Sequence, residues 1–113
     1  MNHECHAHGC EVQVPPKLFM CKSHWYKLRK KIRDVIWEEY RPGQENDKNP
    51  STRYMAVQQR AVAEIAFKEF GIEVAKRYSD NAEHYRDLCI VRGHGDPLEA
   101  LSRRVVKEIL ENV

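Results

Sequence analysis

The fold is decided by Cys5-His6-Ala7-His8-Gly9-Cys10 and by the stretch that answers it, Cys21-Lys22-Ser23-His24. Thiolate and imidazole are the ligands of tetrahedral structural zinc, and three cysteines with one histidine complete such a set. Gly9 permits the tight turn that curls Cys5 and Cys10 toward one point. Cys21 and His24 stand one helical turn apart at an expected helix start, so their side chains leave the same face. Knuckle, small hairpin and helix N-terminus together predict a treble-clef-like arrangement. We expect one structural zinc ion held by Cys5, Cys10, Cys21 and His24. His3, His6 and His8 surround Cys5 and are alternative or outer ligands. A catalytic zinc would need a vacant position and an acid or base beside it, and Glu4 and Glu11 are the only carboxylates close in sequence.

Outward from the knuckle, Glu11-Val12-Gln13-Val14 alternates like a strand and Pro15-Pro16 breaks it. Leu18-Phe19-Met20 is a second short apolar run, so the two predict a hairpin. From Ser23 to Tyr40, Trp25, Leu28, Ile32, Val35, Ile36 and Tyr40 recur at spacings of three and four, which predicts one amphipathic helix. Pro42-Gly43 ends it. Residues 42–50 read as a polar linker. A second helix opens at Pro50-Ser51, capped by Asn49 or Ser51, with Tyr54, Val57, Ala61, Ile65 and Phe70 on its apolar face. Gly71 either ends it or merely bends it, with Ile72–Tyr78 continuing the helix. A short helix is expected from Asn81 to Val91. A last one starts at Asp96-Pro97-Leu98-Glu99, with Leu98, Leu101, Val105, Val106 and Ile109 facing inward. The fold class is mostly α: a zinc knuckle with a small hairpin, then three to four helices. Residues 1–41 are the knuckle and first helix, and residues 51–113 are a helical region packing on that helix in one compact unit.

At 113 residues with 42% hydrophobic and 32% charged side chains, the chain is an ordinary globular mixture. It has no apolar run of membrane-spanning length, so no membrane partner is expected. Residues 1–10 lack the apolar region of a signal peptide, which points to an intracellular protein. Four cysteines there bind metal or lie buried more often than they form disulfides. Cys89, within Leu88-Cys89-Ile90-Val91, reads as a small buried hydrophobe. His84 reads as a helix-surface residue, and Asp96 beside His94 as a helix cap.

The net charge of +2 is unevenly spread. Residues 17–33 hold Lys17, Lys22, Lys27, Arg29, Lys30, Lys31 and Arg33 without a single acid. On a straight helix, Tyr26, Lys30, Arg33 and Trp37 share one face, and Lys27 and Lys31 broaden it. Basic groups neutralise phosphates while aromatics stack on bases or anchor a protein. We take Tyr26, Lys27, Lys30, Lys31, Arg33 and Trp37 as the candidate binding surface. No Gly-rich phosphate loop, nucleophile elbow or paired-carboxylate motif is present.

Cys5-His6-Ala7-His8-Gly9-Cys10, Val14-Pro15-Pro16 and Met20-Cys21-Lys22-Ser23-His24-Trp25 together resemble a group of small phage- and prophage-encoded proteins. The resemblance extends through Ile36-Trp37, Tyr40-Arg41-Pro42-Gly43-Gln44-Glu45 and Asn49-Pro50-Ser51, covering residues 1 to about 65. It implies a mobile-element origin, a bacterial cytoplasm as location and the same cysteine and histidine positions, but no activity. Three functions are expected in order: a nucleic-acid-binding accessory protein, an inhibitor or adaptor of host machinery such as an anti-CRISPR protein, and a treble-clef nuclease. The oligomeric state is open.

Overall fold

Helices α3 (Thr52–Phe70) and α4 (Ile72–Val91) form the centre of the molecule, in a computed structural model that describes residues 2–40, 51–99, 101, 107 and 110. Gly71 separates them at φ 91° and ψ −178°, a conformation essentially restricted to glycine. Its N–H still closes α3 on the Phe67 carbonyl at 3.1 Å. The chain then reverses, and the helices run antiparallel. Asn81 bonds Gln59 near the middle and Arg92 reaches Thr52 at the far end. The Ser51 hydroxyl accepts the Tyr54 N–H at 3.0 Å, so Ser51 is the cap.

The seam is built of small side chains. Ala75, Ser79, Ala82 and Cys89 on α4 are fully buried against α3, which buries Ala56, Ala61, Ala63 and Ala66 in turn. Close approach of two backbones follows from that choice. It also explains why α4 begins at Ile72 rather than at the expected Asn81: its buried stripe is small and weakly hydrophobic, so the apolar period shows in the sequence only near Leu88. Tyr54, Val57, Ala61 and Ile65 are buried as expected, but Phe70 is exposed.

The expected single helix over Ser23–Tyr40 is two. Helix α1 (Lys22–Trp25) and helix α2 (Lys30–Glu39) are separated by a turn, and Leu28 in that turn is buried. Arg29 is extended, at φ −63° and ψ 147°. The break is fixed from a distance. Glu64, buried on α3, accepts the Arg29 backbone N–H at 3.2 Å and the Arg29 Nε at 2.8 Å. Helix α2 has no acid in its first turn, where Lys30 and Lys31 face the positive end of the helix dipole. Glu64 supplies the missing anion from another helix. Arg60 Nη1, equally buried, lies 3.9 Å from the same carboxylate.

The hairpin also differs from expectation. Strand β1 (His3–Glu4) pairs antiparallel with β2 (Gln13–Val14), so the Cys5–Cys10 loop is the hairpin's own connection. Leu18-Phe19-Met20 forms no strand. Phe19 and Met20 are both buried, which a two-residue alternation cannot achieve. One cluster of buried side chains runs from Cys5, Ala7, Val14, Phe19 and Met20 through Ile32, Val35 and Ile36 to Val57, Ala61, Ile65 and Leu98. Asp96 caps the segment after α4, its Oδ1 accepting the Leu98 N–H at 2.9 Å. The expected linker 42–50 and the positions Val105, Val106 and Ile109 lie outside the described residues.

Candidate metal centre

The hairpin loop and the start of α1 meet at one point. Gly9, at φ 75°, turns the loop, and the Cys10 N–H closes it on the Ala7 carbonyl at 3.1 Å. The Cys5 N–H donates to Val12, which holds the loop's base. Cys21 is the residue before α1, and the Trp25 N–H bonds its carbonyl at 2.9 Å. That one turn carries His24 back over Cys21.

The Sγ atoms of Cys5, Cys10 and Cys21 and a ring nitrogen of His24 all lie within 4.8 Å of one another. His24 Nδ1 stands 3.2 Å from Cys21 Sγ and 3.7 Å from Cys5 Sγ. A metal about 2.3 Å from sulfur and 2.0 Å from nitrogen has ligand–ligand edges of roughly 3.5–3.8 Å. The four residues lie close enough together to hold one metal ion. His3, His6 and His8 are outside the set. His6 stacks on Phe19 and tilts against His3, and His8 Nδ1 shares a 2.6 Å hydrogen bond with the Tyr78 hydroxyl. His8 also meets Phe70 edge to face, so the knuckle tip docks across the hinge between α3 and α4.

The thiols are unequal before any metal arrives. Burial pushes the Cys5 thiol up to about 11. Burial also acts to raise Cys21, but hydrogen bonds from the His24 backbone and ring, and from Cys5 and Cys10, outweigh it and bring Cys21 down to about 7. Cys21 is thus readier than Cys5 to become thiolate, the form a metal binds.

With Nδ1 turned to the sulfurs, a metal-bound His24 would keep its proton on Nε2. That nitrogen lies 3.1 Å from both carboxylate oxygens of Glu69, near the C-terminus of α3. Lys27 Nζ holds Glu69 Oε2 from the other side at 2.8 Å. Burial acts to raise the Glu69 carboxyl, but hydrogen bonds from Lys27 and His24 outweigh it and hold it below the usual value. A carboxylate on the far nitrogen of a ligating histidine fixes its tautomer and strengthens it as a donor. Sequence reasoning looked for carboxylates near the knuckle and missed Glu69. The only cue was the general rule that a ligating histidine has such a partner, and that rule gives no position.

The expected binding face is partly redistributed. Lys27 belongs to the metal centre, and Lys30 pairs with Asp34 on its own helix at 2.7 Å. The break before α2 moves Tyr26 into the turn, yet the Arg33 guanidinium still lies 5.1 Å over its ring. Tyr26 and Trp37 are 63% and 50% exposed, the largest exposures among these aromatics. Lys31 is exposed. Between the knuckle and α2 lies a groove of about 320 Å³, lined by Trp25, Tyr26, Trp37 and Tyr40, with Lys17 and Lys22 on its rim. Among the described residues no helix is long and apolar enough to cross a membrane.

No protein-family model, curated protein or solved structure matches the chain.

Proposed function

We propose that the protein is a non-catalytic, zinc-stabilised module that binds nucleic acid. Three thiolates and one imidazole are a zinc donor set, and four protein ligands fill a tetrahedron, so the ion's part is to fix the knuckle against α1 and α3. The observation that carries the reading is electrostatic. The acid-free segment 17–33 emerges beside the metal centre, and Lys17, Lys22 and Lys31 stand exposed with no carboxylate partner among the described residues. Arg33, over the Tyr26 ring, adds a fourth positive charge.

Binding of labelled DNA and RNA across a salt series tests this. Three or four phosphate contacts on a single strand give a log–log slope of roughly −2 to −3. Salt-independent binding, or none to either polymer, overturns the reading. Magnesium-supplemented samples in the same series cover the nuclease alternative, because cleavage would appear as shortened strands. The apolar lining of the groove favours a second reading, a host protein that inserts an apolar side chain, in keeping with an inhibitor or adaptor. A stoichiometric protein recovered by the full-length chain, with no affinity for nucleic acid, would support that one.

A further inference from the structure

We propose that the groove between the knuckle and α2 is where the bases of a single-stranded nucleic acid stack, with Lys17 and Lys22 on its phosphates. This rests on the nucleic-acid reading above and names the form of the ligand and the place it occupies. Trp37 is the central residue. Its neighbours meet it edge to face: Trp25 at 6.2 Å and 72°, Tyr40 at 5.5 Å and 80°. Neither contact is a parallel stack. A half-exposed indole held between perpendicular rings is a platform for another flat π-system, and base–aromatic stacking is the sequence-tolerant mode of single-strand binding.

Charge selects the occupant. Aromatic clusters of this kind also hold cations such as quaternary ammonium groups. Here, among the described residues, the only charged side chains lining the groove are Lys17 and Lys22, with no carboxylate beside them. The two lysines disfavour a further cation, and Arg33 already lies over the Tyr26 ring, whereas a flat base on an anionic chain satisfies both the rings and the rim. A duplex keeps its bases stacked on one another, so only an unpaired strand can offer them. The volume of about 320 Å³ lies at the small end of ligand pockets, enough for a few ring systems.

Both tryptophans of the chain line this groove, so intrinsic fluorescence reports its occupancy directly. The full-length, zinc-loaded protein is titrated with a thymidine oligonucleotide of roughly ten nucleotides, its abasic counterpart and a duplex of the same length. The expected result is tryptophan quenching by the thymidine strand alone. Trp37→Ala then weakens binding roughly 5- to 150-fold, the range for loss of one stacked base. Lys22→Glu keeps the test open should Trp37→Ala fail to fold. It is expected to weaken binding and flatten the salt slope by roughly 0.7, with the free protein's fluorescence unchanged. Equal, salt-sensitive binding of abasic and thymidine strands without quenching overturns the groove while leaving the nucleic-acid reading intact. Absence of binding to all three ligands overturns the groove, and absence of RNA binding in the salt series as well overturns both. Quenching by an apolar peptide and not by the oligonucleotide overturns the groove assignment in favour of a protein partner.

Discussion

Replacing Glu69 by glutamine removes one negative charge from the far side of His24 and leaves an amide oxygen that can still accept from Nε2. The native carboxylate offers both oxygens to that nitrogen at 3.1 Å, and Lys27 fixes its orientation. Loss of such an outer partner lowers metal affinity about 10- to 100-fold, or roughly 1.4–2.8 kcal/mol. Because the substituted amide would keep one hydrogen bond, Glu69→Gln belongs at the lower end and Glu69→Ala at the upper. Lys27→Ala isolates the ion pair, which is partly exposed and worth at most about 1 kcal/mol, so its effect stays within roughly fivefold. Zinc affinity is read by competition with a chromogenic chelator, and cobalt substitution reports whether the sulfur-rich tetrahedral spectrum persists. Cys21→Ser serves as the ligand-loss control. Zinc affinity of Glu69→Ala within twofold of the parent would refute the role given to Glu69, and with it the assignment of Nδ1 as the ligating nitrogen.

Thiol counting checks the ligand set and the burial of Cys89 together. The zinc-loaded native protein should show no reactive thiol at pH 8, a chelator should expose Cys10 and Cys21 first and the buried Cys5 more slowly, and denaturant should add Cys89. Cys89 is fully buried and burial raises its thiol above the ordinary cysteine value, so its reactivity in the folded state grows only above the pH at which a free cysteine already reacts. A fourth thiol reacting on chelation alone would contradict that placement. Glu64→Ala removes the carboxylate beside the buried Arg60 and uncaps α2, and urea unfolding should register a loss of about 3–5 kcal/mol; a loss under about 1 kcal/mol would remove Glu64 from its central role. Gly71→Ala meets open space, so its cost is conformational alone, about 1–3 kcal/mol on the same assay. An unchanged unfolding midpoint would mean the hinge tolerates a side chain.

The meeting of Cys5, Cys10, Cys21 and His24 was legible because their geometry is local. A short loop with one glycine and a single helical turn need no information from elsewhere. The strand pairing was not, since His3-Glu4 is two residues long and carries no alternation to read. The break between α1 and α2 was hidden for a different reason. Leu28 and Ile32 continue a helical stripe without interruption, and the residue that stops the helix, Glu64, sits 35 positions away. Arg60 and Glu64 look like an ordinary surface i, i+4 pair until α3 proves buried on nearly every side. Glu69 was invisible on the same ground: contacts across the fold leave no trace in spacing.

The carboxylate that starts α2 has a consequence for anyone wishing to move this knuckle into another protein. An excised piece ending at residue 41 would carry every metal ligand and both tryptophans. It would lack the cap, and a ten-residue helix without tertiary support is marginal in water. Such a graft would keep the four candidate ligands and yet present no ordered Trp37. The smallest portable unit is set by Glu64 and the helix that buries it, so the metal and the surface beside it are separable by truncation at a point the ligand spacing alone would never mark.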